Sequence, residues 1–88
     1  MLADSDVLSF IYLIEYKDSF IYISIGNKYW GELKQAHDKK LPVILYKNDK
    51  QILTLSHFHE ELAYLLANIE DNSNYGDEMV LAVAAHFR

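Results

Sequence analysis

Apolar residues of this chain fall into short runs that are separated by polar breaks. Residues 8–16 are dense in aromatic and β-branched side chains, and apolar positions occur on both alternating faces, which is typical of a strand covered on two sides. A polar break at residues 17–19 precedes a second such run at residues 20–25. Two β-forming runs around a short polar break predict a hairpin, with one long bent strand as the alternative.

Residues 27–40 instead show the spacing of an amphipathic helix. Trp30 and Leu33 lie three positions apart and begin one apolar face. Asn27 is a favourable N-cap, and Pro42 ends the helix because the residue before a proline is driven towards extended backbone. One helix over residues 27–40 is therefore predicted.

Two further β-forming runs follow this helix. Residues 43–46 and 52–58 flank a polar turn at residues 47–50 and predict a second hairpin. Residues 71–77 have the composition of a loop. Residues 79–87 alternate between two apolar sets, which predicts a closing strand.

Residues 58–70 fit two different periods. Apolar residues at helical spacing, together with the high helix propensity of residues 60–70, favour a helix on local evidence. Alternation over residues 62–69 fits a strand as well. The pattern alone leaves helix and strand open.

Composition narrows the class of protein. The chain has 88 residues, of which 51% are hydrophobic, and this predicts a single domain over residues 1–88 with residues 1–6 as a flexible leader. The lack of cysteine excludes disulfides and thiolate metal sites. A net charge of −5 argues against nucleic-acid binding, which needs a basic patch to neutralise phosphates. The apolar run at residues 7–14 is too short for membrane insertion, which takes about 20 residues.

The central stretch, residues 27–46, resembles a known module. The pattern W-x-E-L-x-x-A followed by P-V-I-L is carried by Trp30, Glu32, Leu33, Ala36 and residues 42–45. It is similar to a strand–helix–strand module common in bacteriophage tail-fibre and baseplate proteins. That module usually has Gly-Lys before its last strand, where this chain has Lys40-Leu41. A positive φ at Lys40 would fit the module despite the missing glycine.

The resemblance implies both a fold and a role. It implies a strand at residues 61–70, so the predicted fold is α+β, an antiparallel sheet of five or six strands with one helix at about 27–40. A second helix at 58–70 is the alternative. The implied role is a non-enzymatic structural or adhesion module of a virion, made in the cytoplasm and repeated in a homo-oligomer. The alternative is a small acidic cytoplasmic interaction domain of inhibitor or immunity type.

The histidines near residue 58 suggest a metal site. On a strand, His57 and His59 share one face about 6.5–7 Å apart and, with Glu61, could hold a metal ion. On a helix, His57 and Glu61 would be neighbours instead. A metal-binding protein is therefore a further alternative, weighed against an ordinary solvated segment. No cofactor and no catalytic constellation are predicted, so the chain is expected not to be an enzyme.

Aromatic residues are the other candidates for binding. Tyr75 lies in the predicted loop, and Trp30 and Tyr64 add amphipathic rings that could contact a protein or glycan surface. The competing interpretation is that such rings fill or border the core.

Overall fold

A computed structural model describes residues 1–70 and 72–88 as an α+β fold with two antiparallel sheets and three α-helices. The elements, in chain order, are β1 (Leu2–Asp4), β2 (Ser9–Tyr16), β3 (Ser19–Gly26), α1 (Trp30–Asp38), β4 (Ile44–Lys47), β5 (Lys50–Thr54), α2 (Phe58–Ile69) and α3 (Asp77–Phe87). Short 3₁₀ turns at Asn27–Tyr29 and Ser73–Tyr75 precede α1 and α3.

The first sheet has the strand order β1-β2-β3. The predicted β2–β3 hairpin is confirmed, and its two strands pair without interruption from Ser9–Gly26 to Tyr16–Ser19. Lys17 and Asp18 form the two-residue connection, and both have positive φ. At the other side of β2, Leu2–Asp4 forms a short strand where the sequence indicates a flexible leader.

The second sheet is the predicted hairpin of β4 and β5. Its connection, Asn48-Asp49, again has positive φ at both residues. The pairing shifts by one residue between Leu45 and Tyr46. The prediction of one sheet with five or six strands is therefore only partly right, because the described strands divide into sheets of three and two.

The C-terminal half differs most from the predicted strands. Residues 58–69 form α2, so the helix alternative is right and the strand implied by the resemblance is wrong. Residues 79–87, predicted as a strand, belong to α3. Their apparent alternation arose because alanines at 82, 84 and 85 were counted as apolar on either face, although alanine is the strongest helix former. The predicted loop at 71–77 is a 3₁₀ turn over Ser73–Tyr75, while Asp71 lies outside the described residues.

Helix α1 is shorter than the predicted 27–40. Asn27 lies in the preceding 3₁₀ turn, and no side chain caps the start of α1. The helix ends before Pro42, because Lys40 adopts a left-handed φ of 54°. The Leu41 amide then donates to the Ala36 carbonyl at 2.9 Å, which is the hydrogen bond of a Schellman motif.

The core lies between the inner face of β2 and the helices. Trp30 is fully buried, stacks on Phe10 with ring centroids 4.3 Å apart, and donates its Nε1–H to the Ile25 carbonyl at 3.1 Å. The remaining buried apolar side chains are Tyr12, Ile14, Leu33, Leu55, Phe58, Leu62, Leu65, Ile69, Met79 and Val83. Within the described residues, no helix combines the length and the apolar character that crossing a membrane requires.

Candidate functional site

Strand β3 is an edge strand that lacks the usual protection of such edges. Among the described residues it pairs with β2 alone, along all eight of its positions and without a bulge. Its sequence, SFIYISIG, contains no charged residue and no proline. Proteins commonly protect edge strands with lysines, prolines, bulges or short length, because the unpaired N–H and C=O groups otherwise pair with another chain.

Both faces of β3 carry apolar side chains. Ile21, Ile23 and Ile25 point inward and are half-buried against the core. Phe20 and Tyr22 point outward, and 61% and 70% of their surfaces are exposed. The free edge of β3 therefore offers backbone hydrogen-bonding groups between two rows of apolar side chains.

The outward row continues across the sheet. Leu13 of β2 lies opposite Tyr22 and is 44% exposed, and Leu2 of β1 lies opposite Ile11 and is 63% exposed. An antiparallel sheet with one face in water normally carries polar residues on that face. We call Leu2, Leu13, Phe20 and Tyr22 the outer sheet face.

The predicted metal ligands are not brought together. Helix α2 begins at Phe58, so His57 remains an exposed residue near Glu60, with its Nδ1 3.6 Å from the carboxylate. Glu61 accepts a hydrogen bond from the Met1 ammonium at 2.9 Å. No group of three histidine, aspartate or glutamate side chains in the described part of the chain is placed to share a metal ion.

His59 instead joins the end of α1 to the start of α2. Its Nε2–H donates to the Leu41 carbonyl at 2.6 Å, which leaves its Nδ1 as an acceptor for the Nδ1–H of His37 at 3.2 Å. Burial lowers the pKa of His37 below its ordinary value, and the nearby Lys40 and His59 lower this pKa further. The contact is structural, since the two rings bond to each other and the His59 ring also bonds to the backbone.

Glu61 is the centre of a second polar contact. Burial raises the pKa of Tyr12 to about 12, and the hydrogen bond with Glu61 and its negative charge add to this rise. Burial alone would raise the pKa of Glu61, but its hydrogen bonds with the Met1 ammonium and Tyr12 outweigh that effect, so the pKa is lowered. These contacts connect Met1, the residue before β1, with β2 and α2.

The predicted aromatic contacts are divided between the surface and the core. Tyr64, which is 75% exposed, and Tyr75, which is half-buried, line the same open cavity of about 500 Å³ beside Met1 and Leu2. Trp30 has no exposed surface, and its ring lies against the rings of Phe10, His86 and Phe87. The β3 edge was not among the predicted site residues, although the absence of charge from residues 19–26 was visible in the sequence.

Comparison with known proteins identifies relatives of the whole chain. The model of a family described as "Family of unknown function (UPF0738)" matches residues 1–87. The "UPF0738 protein YjbL" of Bacillus subtilis (strain 168) is 54% identical over 79 residues, which cover 90% of this chain and 64% of that protein. A "UPF0738 protein" of Anoxybacillus flavithermus is 46% identical over 87 residues, or 99% of this chain and 64% of that protein.

A third relative, "UPF0738 protein GK0828" of Geobacillus kaustophilus, is 48% identical over 83 residues, or 94% of this chain and 66% of that protein. The chain thus spans slightly less than two thirds of the length of these relatives. No solved structure matches the chain significantly.

These relatives overturn the predicted phage origin. They are bacterial proteins, and nothing in the family or in their names indicates a tail-fibre or baseplate module, so the predicted virion role and virion location are wrong. Their names equally give no support to an inhibitor or immunity role. The positive φ expected at Lys40 is present, but it is the general geometry of a helix ending in a Schellman motif and is not specific to one family.

Proposed function

We propose a function for this chain, which belongs to the UPF0738 family, a family of unknown function. The chain is a non-enzymatic self-association module whose β3 edge pairs with the β3 edge of a second copy. The observation that supports this most directly is the eight-residue edge strand without charge, proline or bulge. Such a strand is a template for backbone pairing, and a second copy supplies an identical strand.

A two-fold axis restricts the possible registers of this pairing. Directly opposed residues of an antiparallel pair point to the same face, so a residue on the axis lies opposite its own copy. With the axis at Ile23, Ile21 of one copy lies opposite Ile25 of the other, and Tyr22 lies opposite Ser24. This register places the half-buried isoleucines of both copies in direct cross-strand pairs, which are favourable for β-branched side chains.

The charges near the ends of β3 agree with this register. Asp18 precedes the strand and Lys28 follows it. Antiparallel pairing centred on Ile23 places Asp18 of one copy near Lys28 of the other at both ends of the interface. Such exposed pairs contribute only about 0–1 kcal/mol each, so they favour the register more than they stabilise the dimer.

The polar groups also support a role without catalysis. His59 and Glu61, two of the predicted ligands, are engaged in contacts that hold elements together. His57 and Glu60 form an exposed pair on the surface. A binding role therefore uses the features that the folded chain leaves open, which are the β3 edge and its apolar borders.

The oligomeric state of a Tyr22→Lys variant tests the proposal. Tyr22 is exposed and lies next to the axis, so two lysines, one from each copy, are brought close together in the dimer and repel. Analytical ultracentrifugation should give twice 10.3 kDa for the unmodified chain and 10.3 kDa for the variant. Tyr64→Lys, at an exposed tyrosine of α2, is the matched control and should remain dimeric.

A monomeric mass for the unmodified chain at every concentration would reject the proposal. Equal loss of dimer in Tyr22→Lys and Tyr64→Lys would also reject it, because the effect would then come from charge alone.

The register can be tested by cysteine crosslinking, since the chain contains no cysteine. Ile23→Cys places two thiols opposite each other, about 5 Å apart at Cβ, and should form a crosslinked dimer under mild oxidation. Ile21→Cys, on the same face of the strand, places its two thiols about 14 Å apart along the strand and should remain uncrosslinked. The reverse result would show a different register.

A further inference from the structure

Strand β2 is fully paired on one side and only partly paired on the other. Strand β3 pairs with all of β2, from Ser9 to Tyr16. Strand β1 pairs only with Ser9, Phe10 and Ile11. We call residues 12–16 on the β1 side the open half of β2, because no described strand pairs with it there.

A groove of about 220 Å³ runs along this open half. It is lined by residues 12–15 of β2 and by residues 53–57, which include the end of β5 and the segment between β5 and α2. The lining includes residues that point inward, such as Tyr12, and residues that point outward, such as Glu15, so the groove follows the strand edge. It separates the three-stranded sheet from the β4–β5 hairpin.

The register of β1 shows which chain direction fits the groove. Leu2 lies opposite Ile11, and each step back along β1 moves one residue forward along β2. Continuing this register, Met1 comes opposite Tyr12, and four further residues ahead of it would reach Tyr16. An extended segment that continues β1 backwards therefore runs along the whole open half of β2.

The longer family members have residues that lie outside the match. The part of the Bacillus subtilis relative that lies outside the match is more than a third of its length. We propose that the groove holds an extended segment of the longer family chains, namely the residues that directly precede the equivalent of Leu2. This segment pairs with residues 12–16 and joins the two sheets, and the proposal is independent of the β3 dimer.

The residues that line the groove also predict which types of side chain fit at each position of this segment. Positions opposite Tyr12, Ile14 and Tyr16 share the inner face of β2 and should be apolar, because Tyr12 and Ile14 are buried there. The position opposite Glu15 points outward, where lysine or arginine forms a favourable cross-strand pair. Counting back from the equivalent of Leu2, the expected pattern is apolar, variable, apolar, basic or polar, apolar.

Hydrogen exchange tests this pairing. The residues that precede the match in the Bacillus subtilis relative are fused ahead of this chain, and amide exchange is compared with that of the unfused chain. We expect the amides of residues 12–16 that point towards the β1 side of β2 to exchange at least about tenfold more slowly in the fusion, because they gain hydrogen bonds. The amides of β3 should be unchanged, which separates this effect from dimerisation.

The matched control carries the same fused segment with prolines at the positions opposite Leu13 and Glu15, since proline cannot pair within a sheet. It should show no protection of residues 12–16. Equal protection in the control, or none in the fusion, would overturn the proposal. Protection of the unfused chain that grows with protein concentration would instead assign the groove to a second copy. If the equivalent of Leu2 lies within the first few residues of the longer relatives, no preceding segment is long enough to pair with residues 12–16, and the proposal is excluded.

Discussion

His37 and His59 illustrate how much a single residue contact depends on the folded chain. Each was visible in the sequence as a titratable side chain, but their 3.2 Å contact joins residues 22 positions apart. It forms because α1 ends at Asp38 and α2 begins at Phe58, and only the second of these bounds agrees with a predicted one. The sequence therefore indicated His59 as a candidate metal ligand but could not show that its ring bonds to His37.

The lowered pKa of His37 predicts a pH dependence of stability. The folded chain holds fewer protons on His37 than the unfolded chain as pH falls below the ordinary value of 6.5, so stability falls there and is fully present above it. The nearby Lys34 and Lys40 favour the neutral ring, whereas Asp38 favours the charged one. Thermal unfolding should show a lower Tm at about pH 5.5 than at about pH 7.5.

His37→Gln should reduce this difference in Tm. His57→Gln is the control, because the side chain of His57 is 75% exposed, and it should reduce the difference in Tm less than His37→Gln does. An equal pH dependence in the unmodified chain and His37→Gln would contradict the assignment. The lowered pKa of Glu61 acts only below its ordinary value of 4.5 and therefore lies outside this range.

Among the elements, those with strong local signals were predicted well. The β2–β3 and β4–β5 hairpins and a helix containing Trp30 are all present. The pattern left helix and strand open for α2 and wrongly predicted a strand for most of α3, because leucine and alanine runs fit periods of two and of 3.6 almost equally. Their helical state is favoured by packing of Phe58, Leu62 and Met79 into the common core, which local reasoning does not include.

In the two hairpin turns, substitutions between lysine and asparagine should change stability in opposite directions. Lys17 and Asn48 each occupy the first position of a two-residue turn, with φ of 50° and 52°. Asparagine tolerates this left-handed backbone better than lysine. Lys17→Asn should therefore stabilise the chain by about 0.5–1 kcal/mol, and Asn48→Lys should destabilise it by a similar amount.

Chemical denaturation measures both changes as shifts of the midpoint. The Lys17 ammonium lies 5.3 Å from the centroid of the Tyr16 ring. A loss of stability in Lys17→Asn would indicate that this contact stabilises the chain more than asparagine's tolerance of a left-handed backbone does.

At the scale of the whole molecule, the candidate site depends on what the fold leaves uncovered. The sequence indicated that residues 8–16 are covered on both faces, yet the helices cover only the inner face of β2 and the outer sheet face remains exposed. The free edge of β3 likewise exists because the β4–β5 hairpin forms a separate sheet. Neither feature can be read from local sequence, since both depend on the packing of distant elements.

Self-association should make the stability of the molecule depend on concentration. Each copy carries a net charge of −5, so the two copies repel at long range and added salt screens this repulsion. We expect Tm to rise with protein concentration and, at a fixed concentration, with moderate salt, because dimerisation stabilises the folded state. In Tyr22→Lys, Tm should be independent of concentration, and a concentration-dependent Tm there would argue against the β3 interface.

The buried position of Trp30 has a spectroscopic consequence. It is the one tryptophan of the chain, and its indole contacts Phe10 of β2, the Ile25 carbonyl of β3 and the rings of His86 and Phe87 of α3. Fluorescence excited selectively in this indole therefore reports on the sheet and the C-terminal helix together. Its emission should be blue-shifted in the native chain and move to longer wavelength only when the sheet and α3 separate, so no added label is needed to follow unfolding.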